Sequence, residues 1–182
     1  TLDTVANDNW ANFCVAQNRW NPDGGGDFGS PGTPNHACIA AGSCFDEALD
    51  AGRAIVEPPE GALVITEWMS DPGFSPQANG EYFEFIAKGV FDLNGVQFSI
   101  ATNADAGTGT VRPIAASTRC VTTVANTHYV VGRNPDAGAN GGLPPFIATL
   151  PGNAMTATTF ISLINPDGGV ADSVVTAGGA AG

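Results

Sequence analysis

The residues able to do chemistry are few and scattered along the chain. His36 and His128 are the two histidines, and neither accompanies a nucleophile elbow or an HExxH pair. Glu81 and Glu84 resemble a general acid and base couple. The alternation around them reads as a strand, however, where an offset of three residues sends the two carboxylates to opposite faces. Gly24-Gly25-Gly26-Asp27-Phe28-Gly29 matches the letters of a dinucleotide loop, but Ser30-Pro31-Gly32-Thr33-Pro34 follows and forbids the helix that would face a pyrophosphate. The expectation is therefore no catalytic residue and no organic cofactor. Calcium is the metal chemistry within reach, through the Asn- and Asp-rich turns that carry Asp105, Asp136, Asp167 and Asp172, although none has the spacing of a loop closed by a bidentate Glu. Asx turns are the plainer reading of the same residues. Trp10, Trp20 and Trp68 offer faces for sugar stacking, against a simpler role as core or sheet-edge filler. Cys14, Cys38, Cys44 and Cys120 are an even set without a CxxC, which fits disulfides made in an oxidising compartment better than a metal site.

The elements that must position these residues are bounded by composition. The chain has 182 residues, enough to bury a core, with 18 acidic against 6 basic side chains and a formal net charge of −12. Lys88 is its one lysine. No basic stripe exists to displace counterions from phosphates or to hold anionic lipid, so nucleic-acid and membrane-surface partners are excluded. No apolar run is long enough to insert in a bilayer. The opening Thr1-Leu2-Asp3-Thr4 has neither an initiator Met nor a signal-peptide pattern, as expected of a chain that begins inside a processed precursor. With 24 Gly and 13 Pro among 43% hydrophobic residues, it reads as a turn-rich folded protein.

Three regions follow along the chain. Residues 1–38 are polar and aromatic. Residues 39–60 read as a linker with one short helix, capped by Ser43, favoured by Asp46 and Glu47, with Phe45 and Leu49 on one face and Gly52 ending it before Pro58-Pro59. From residue 61 onward, short β-prone runs alternate with turns, predicting strands over 63–69, 81–88, 96–100, 110–114, 119–123, 128–133, 146–149, 159–164 and 170–175. Phe83 and Phe85 share a face with Glu81. The recurring Asn-Pro-Asp tetrapeptides at 21–24, 134–137 and 165–168 read as hairpin corners, the last joining two antiparallel strands.

Taken in order, Leu63-Val64-Ile65-Thr66-Glu67, then Gly80-Glu81-Tyr82-Phe83-Glu84-Phe85, Asp92-Leu93-Asn94-Gly95, Tyr129-Val130-Val131-Gly132 and Ile161-Ser162-Leu163-Ile164 resemble a lamin-tail domain of the bacterial secreted type. That resemblance implies an all-β, immunoglobulin-like β-sandwich over 61–182. Trp10-Ala11-Asn12-Phe13-Cys14 with Gly32-Thr33-Pro34 is similar to the closing segment of such a domain, placed here at the start. The sandwich is then expected to lack its own closing strand and to expose a sheet edge. Residues 1–38 would supply it, in cis as a circular permutant, in a neighbouring copy, or within a tandem array. The donated strand centres on Leu2, Val5, Trp10, Phe13 and Val15. Cys14 paired with Cys120, and Cys38 with Cys44, would lock it, with other pairings open. The function expected is a non-catalytic, secreted or cell-surface structural protein whose partners are other copies of itself. The alternative is a monomeric adhesion or binding module, calcium-stabilised, of a larger surface protein.

Overall fold

The computed structural model describes residues 42–49, 51–70, 77–101, 109–151, 155 and 159–176. The chain divides into two compact units. One holds Thr1–Ile55 with Thr118–Cys120, and the other holds Val56–Ser117 with Val121–Gly182.

The larger unit is an all-β sandwich. One sheet has the order β3-β4-β7-β8, from β3 (Leu63–Met69), β4 (Tyr82–Ala87), β7 (Thr127–Gly132) and β8 (Ala148–Thr149). The other has the order β10-β9-β5-β6, from β5 (Gln97–Ala101), β6 (Thr110–Pro113), β9 (Thr159–Ile164) and β10 (Val170–Thr176). All pairings are antiparallel except β7 with β8. The period of two in β4 decides which face is core: Phe83, Phe85 and Ala87 are fully buried while Tyr82, Glu84 and Ile86 point outward. Phe83 meets Phe98 of the opposite sheet edge-on at 5.6 Å, and Phe85 stacks on Tyr129 at 5.6 Å. Leu63, Leu93, Val96, Val131, Ile161 and Leu163 complete the dry layer, each with no exposed surface. Each such side chain contributes about 1.5–3 kcal/mol through burial.

The 165–168 turn joins β9 to β10 as expected. Gly168 takes φ +88°, which costs glycine nothing, and its N–H donates to Asn165 O at 2.9 Å. The turn at 134–137 is not a hairpin corner. Asn134 Oδ1 accepts the Asp136 N–H at 3.0 Å, but the strand that follows, β8, runs parallel to β7, so this turn begins a crossover. Residues 119–123 do not form a strand either. Arg119 and Thr122 make isolated bridge pairs on different partners, because the chain changes unit between them.

The expected linker helix is corrected. Its residues form a β-hairpin of β1 (Ser43–Asp46) and β2 (Ala51–Ala54). Leu49 is 64% exposed, so Phe45 and Leu49 make no buried helical face; adjacent Cys44 and Phe45 are buried instead. Asp46 Oδ1, read as a first-turn carboxylate, accepts the N–H groups of Ala48 and Leu49 at 2.9 and 3.3 Å and closes the turn. Arg53 Nε donates to Asp46 Oδ2 at 2.6 Å across the hairpin, and this bond holds the Asp46 carboxyl below its ordinary pKa. A helix of about two turns is too short for propagation to outweigh these bonds.

The sandwich meets its own edges in two ways. β3 and β10, the outer strands at one side, are both bulged, and Asp172 Oδ2 reaches from the β10 bulge to accept the Ile65 N–H of β3 at 2.7 Å. At the other side, β6 carries Arg112 and Pro113, and two-residue β8 ends before Pro151. Charge, proline and shortness are the usual protections of an open edge.

Candidate functional site

The smaller unit is built around a strand clasp. Phe45 N–H donates to Thr118 O at 2.9 Å, and Cys120 N–H donates to Phe45 O at 2.9 Å, which lays 118–120 parallel to β1 through a Phe45–Arg119 bridge. Glu47 and Arg119 form an ion pair, and Cys44 and Cys120 form a disulfide with Cα atoms 4.9 Å apart. Cys44 is fully buried and Phe45 is 4% exposed, so this short contact has a dry centre. The expected pairings of Cys120 with Cys14 and of Cys44 with Cys38 are thereby corrected. Spacing along the chain says little here, because the true partners are 76 residues apart and meet only through folding.

The larger unit carries an anchor for each point where the chain leaves or re-enters it. Asp92 is fully buried. Its Oδ2 accepts the Val56 N–H at 2.9 Å, its own N–H donates to Val56 O at 2.7 Å, and its Oδ1 accepts the Thr122 hydroxyl at 2.7 Å. Two residues on, Asn94 Nδ2 donates to Ser117 O at 2.9 Å, and Oδ1 accepts the Val121 N–H at 2.8 Å. Between them Leu93 is buried in the core, and Gly95 turns the chain at φ +82° with Pro166 close by. Val56, Ser117 and Val121 are the residues flanking the three crossings between units. Asp92-Leu93-Asn94-Gly95 therefore alternates anchor, core, anchor and turn. A carboxylate and an amide are the side chains for this work, since each offers acceptors for backbone N–H groups in a buried setting.

No family model matches the chain, and no curated protein is significantly similar to it.

The other residues singled out in the sequence are dispersed. Glu81 is buried and paired with Arg133 at 3.3 Å; burial pushes its carboxyl up against the opposing pull of that guanidinium. Glu84 lies on the outer face, where its Oε1 is 2.6 Å from His128 Nδ1 and accepts the Thr66 hydroxyl at 2.9 Å. The two carboxylates diverge as the strand period requires. Tyr82, beside them, donates its hydroxyl to Glu67. Asp136 Oδ1 accepts the Gly138 N–H at 2.9 Å, Asp167 Oδ1 accepts the Gly169 N–H at 2.8 Å, and Asp172 holds Ile65. Each thus serves backbone N–H groups, and among the described residues none belongs to a cluster of three potential metal ligands. Trp68 packs half-buried against the core. A groove of about 380 Å³ beside β8 is lined by Pro135, Leu143, Pro145, Phe146 and Ile147.

Leu2, Val5, Trp10, Phe13, Cys14, Val15, Trp20, Gly24–Gly29, His36, Cys38 and Asp105 lie outside the described residues. The residues that sequence reasoning missed are Asp92, Asn94, Glu47 and Arg119. For the first two a signal existed: a polar residue on each side of a leucine, ahead of a glycine, inside an apolar run.

Proposed function

We propose that the chain is a non-catalytic, secreted or cell-surface structural protein, with a sandwich of the lamin-tail kind, whose copies join head to tail by exchange of the 1–38 segment. One observation carries the reading: among the described residues, β6 and β8, on the side away from the Asp172–Ile65 contact between β10 and β3, are each paired with a strand on one side only. An edge so left is a template for an added strand. Such a contact is heterologous and does not close on itself, so it propagates a filament. Extracellular placement draws support from the Cys44–Cys120 disulfide, and the net charge of −12 would keep extended fibres soluble and apart. Among the described residues no helix is long and apolar enough to cross a membrane. The lamin-tail part of the reading rests on the resemblance of the ordered motifs in the sequence.

Negative-stain microscopy with light scattering on the full chain tests the proposal. Filaments are expected, and Phe13→Asp is expected to shorten or abolish them. Discrete globules at every concentration would overturn it. The disulfide closes within one chain, which favours a second reading, a monomeric adhesion or binding module. Calorimetry with and without a chelator addresses its calcium-stabilised form: such a module loses melting temperature on chelation, and a strand-exchange fibre does not.

A further inference from the structure

The open edge of β8 and the groove beside it converge on one place. Ile147 N–H donates to Val130 O at 2.9 Å, so backbone alternation turns the N–H and C=O of Ala148 away from β7. That is the side on which, among the described residues, no strand is paired. The groove of about 380 Å³ is lined by Phe146, Ile147 and Ala148 of the same stretch, and by Pro135, Leu143 and Pro145. The bare backbone of Gly132 on β7 seats the Phe146 ring, since a Cβ there would lie 2.2 Å from it. None of the lining residues is charged. β8 itself is only two residues long. It therefore offers an added strand one pair of backbone groups, and most of the recognition falls on the apolar groove.

Resting on the reading that residues 1–38 complete a sandwich by exchange, we propose that the β8 edge receives Trp10–Val15, with Ala148 bonding its backbone and the groove taking the Phe13 ring. The occupant follows from composition and length. Residues 9–18 carry no charge in a chain of net charge −12, so they approach an uncharged groove without the repulsion that meets the acidic stretches. In extended backbone Ala11, Phe13 and Val15 share a face, and alternate side chains are what a strand added to an edge presents to a pocket. A groove at the small end of the range for ligand pockets suits one aromatic anchor better than a run of them. Residues 16–41 separate the segment from Gly42. Fully extended they would reach about 85 Å, against about 35 Å for the width of a domain of this size. Length therefore sets no bar to delivering the segment to β8.

The test uses the full chain with a photoreactive benzophenone analogue of phenylalanine at position 13. Unlabelled and ¹⁵N-labelled chains are unfolded, mixed in equal amounts, refolded together and irradiated. Adducts are located by tandem mass spectrometry, with microscopy on the same sample. The expected adducts fall within residues 143–149. Leu143→Asp places a carboxylate in the groove wall and is expected to lower their yield about tenfold; an undiminished yield would overturn the proposal. Groove adducts that carry one labelled and one unlabelled arm, in a sample that forms filaments, support both this proposal and the fibre reading. Groove adducts without filaments, whether within one chain or in closed dimers, support this proposal and overturn the fibre reading. Filaments with adducts only elsewhere overturn this proposal and leave the fibre reading standing. Globules with adducts only elsewhere overturn both.

Discussion

Two residues of this chain test burial against hydrogen bonding most directly. Asp92 is a fully buried carboxylate that serves Val56 and Thr122. Asp92→Ala leaves a part-buried N–H and an exposed hydroxyl without their acceptor, and we expect a loss of about 1–2 kcal/mol in urea unfolding; a loss below about 0.5 kcal/mol would show that the anchor is dispensable. Tyr82 tests the outer face. Burial first, and then its bond to Glu67, push its hydroxyl up to about 12 from 10.0. Its folded pKa is raised, so the contribution is fully present below pH 10 and is lost as the pH climbs toward 12, where the unfolded chain has already given up its proton. Ultraviolet titration of the two tyrosines should show an ionisation step near pH 12, moved downward but not abolished by Glu67→Gln.

At the scale of elements, the local rules worked where one face meets solvent and failed where chemistry was shared between distant segments. β3 and β9 span the expected residues, and β4 shows the expected alternation, because the period of two is imposed by the pleat itself. The β9–β10 turn was legible for the same reason: Pro166 fixes one φ and Gly168 accepts φ +88°. Open space surrounds a Cβ at that glycine, so Gly168→Ala meets only the backbone penalty. We expect it to cost about 1–2 kcal/mol by thermal unfolding. A neutral result would mean that the turn relaxes to another type. The hairpin of β1 and β2 was read as a helix because Ser43, Asp46 and Glu47 satisfy helix-start statistics. Those preferences are worth about 1 kcal/mol each, and the Asp46–Arg53 bond, a paired strand and a disulfide together exceed them.

For the whole molecule, the disulfide is the covalent tie between distant segments, bridging a separation of 76 residues. A loop of that length loses about 4 kcal/mol less entropy on folding when it is already closed. Replacing both Cys44 and Cys120 by Ala should therefore lower the unfolding free energy by roughly that amount, measured against the oxidised wild type; equal stability would place the disulfide outside the folding unit. The acidity of the chain acts at this scale as well. At a net charge of −12, self-association by any route weakens at low ionic strength, and added salt should promote assembly.

Composition, alternation and turn residues by themselves determined that this protein is built of strands, which face of β4 is core, where β9 turns into β10, and that Glu81 and Glu84 cannot act as a pair. These are local consequences of backbone geometry and solvent. Tertiary structure alone decided which cysteines meet, that residues 118–120 join β1 in place of forming a strand with Val121–Thr123, and that Asp92 and Asn94 hold the chain where it changes unit. The reason is physical: a disulfide, a buried carboxylate and a parallel bridge each depend on the distance between segments far apart in sequence, which no local pattern encodes.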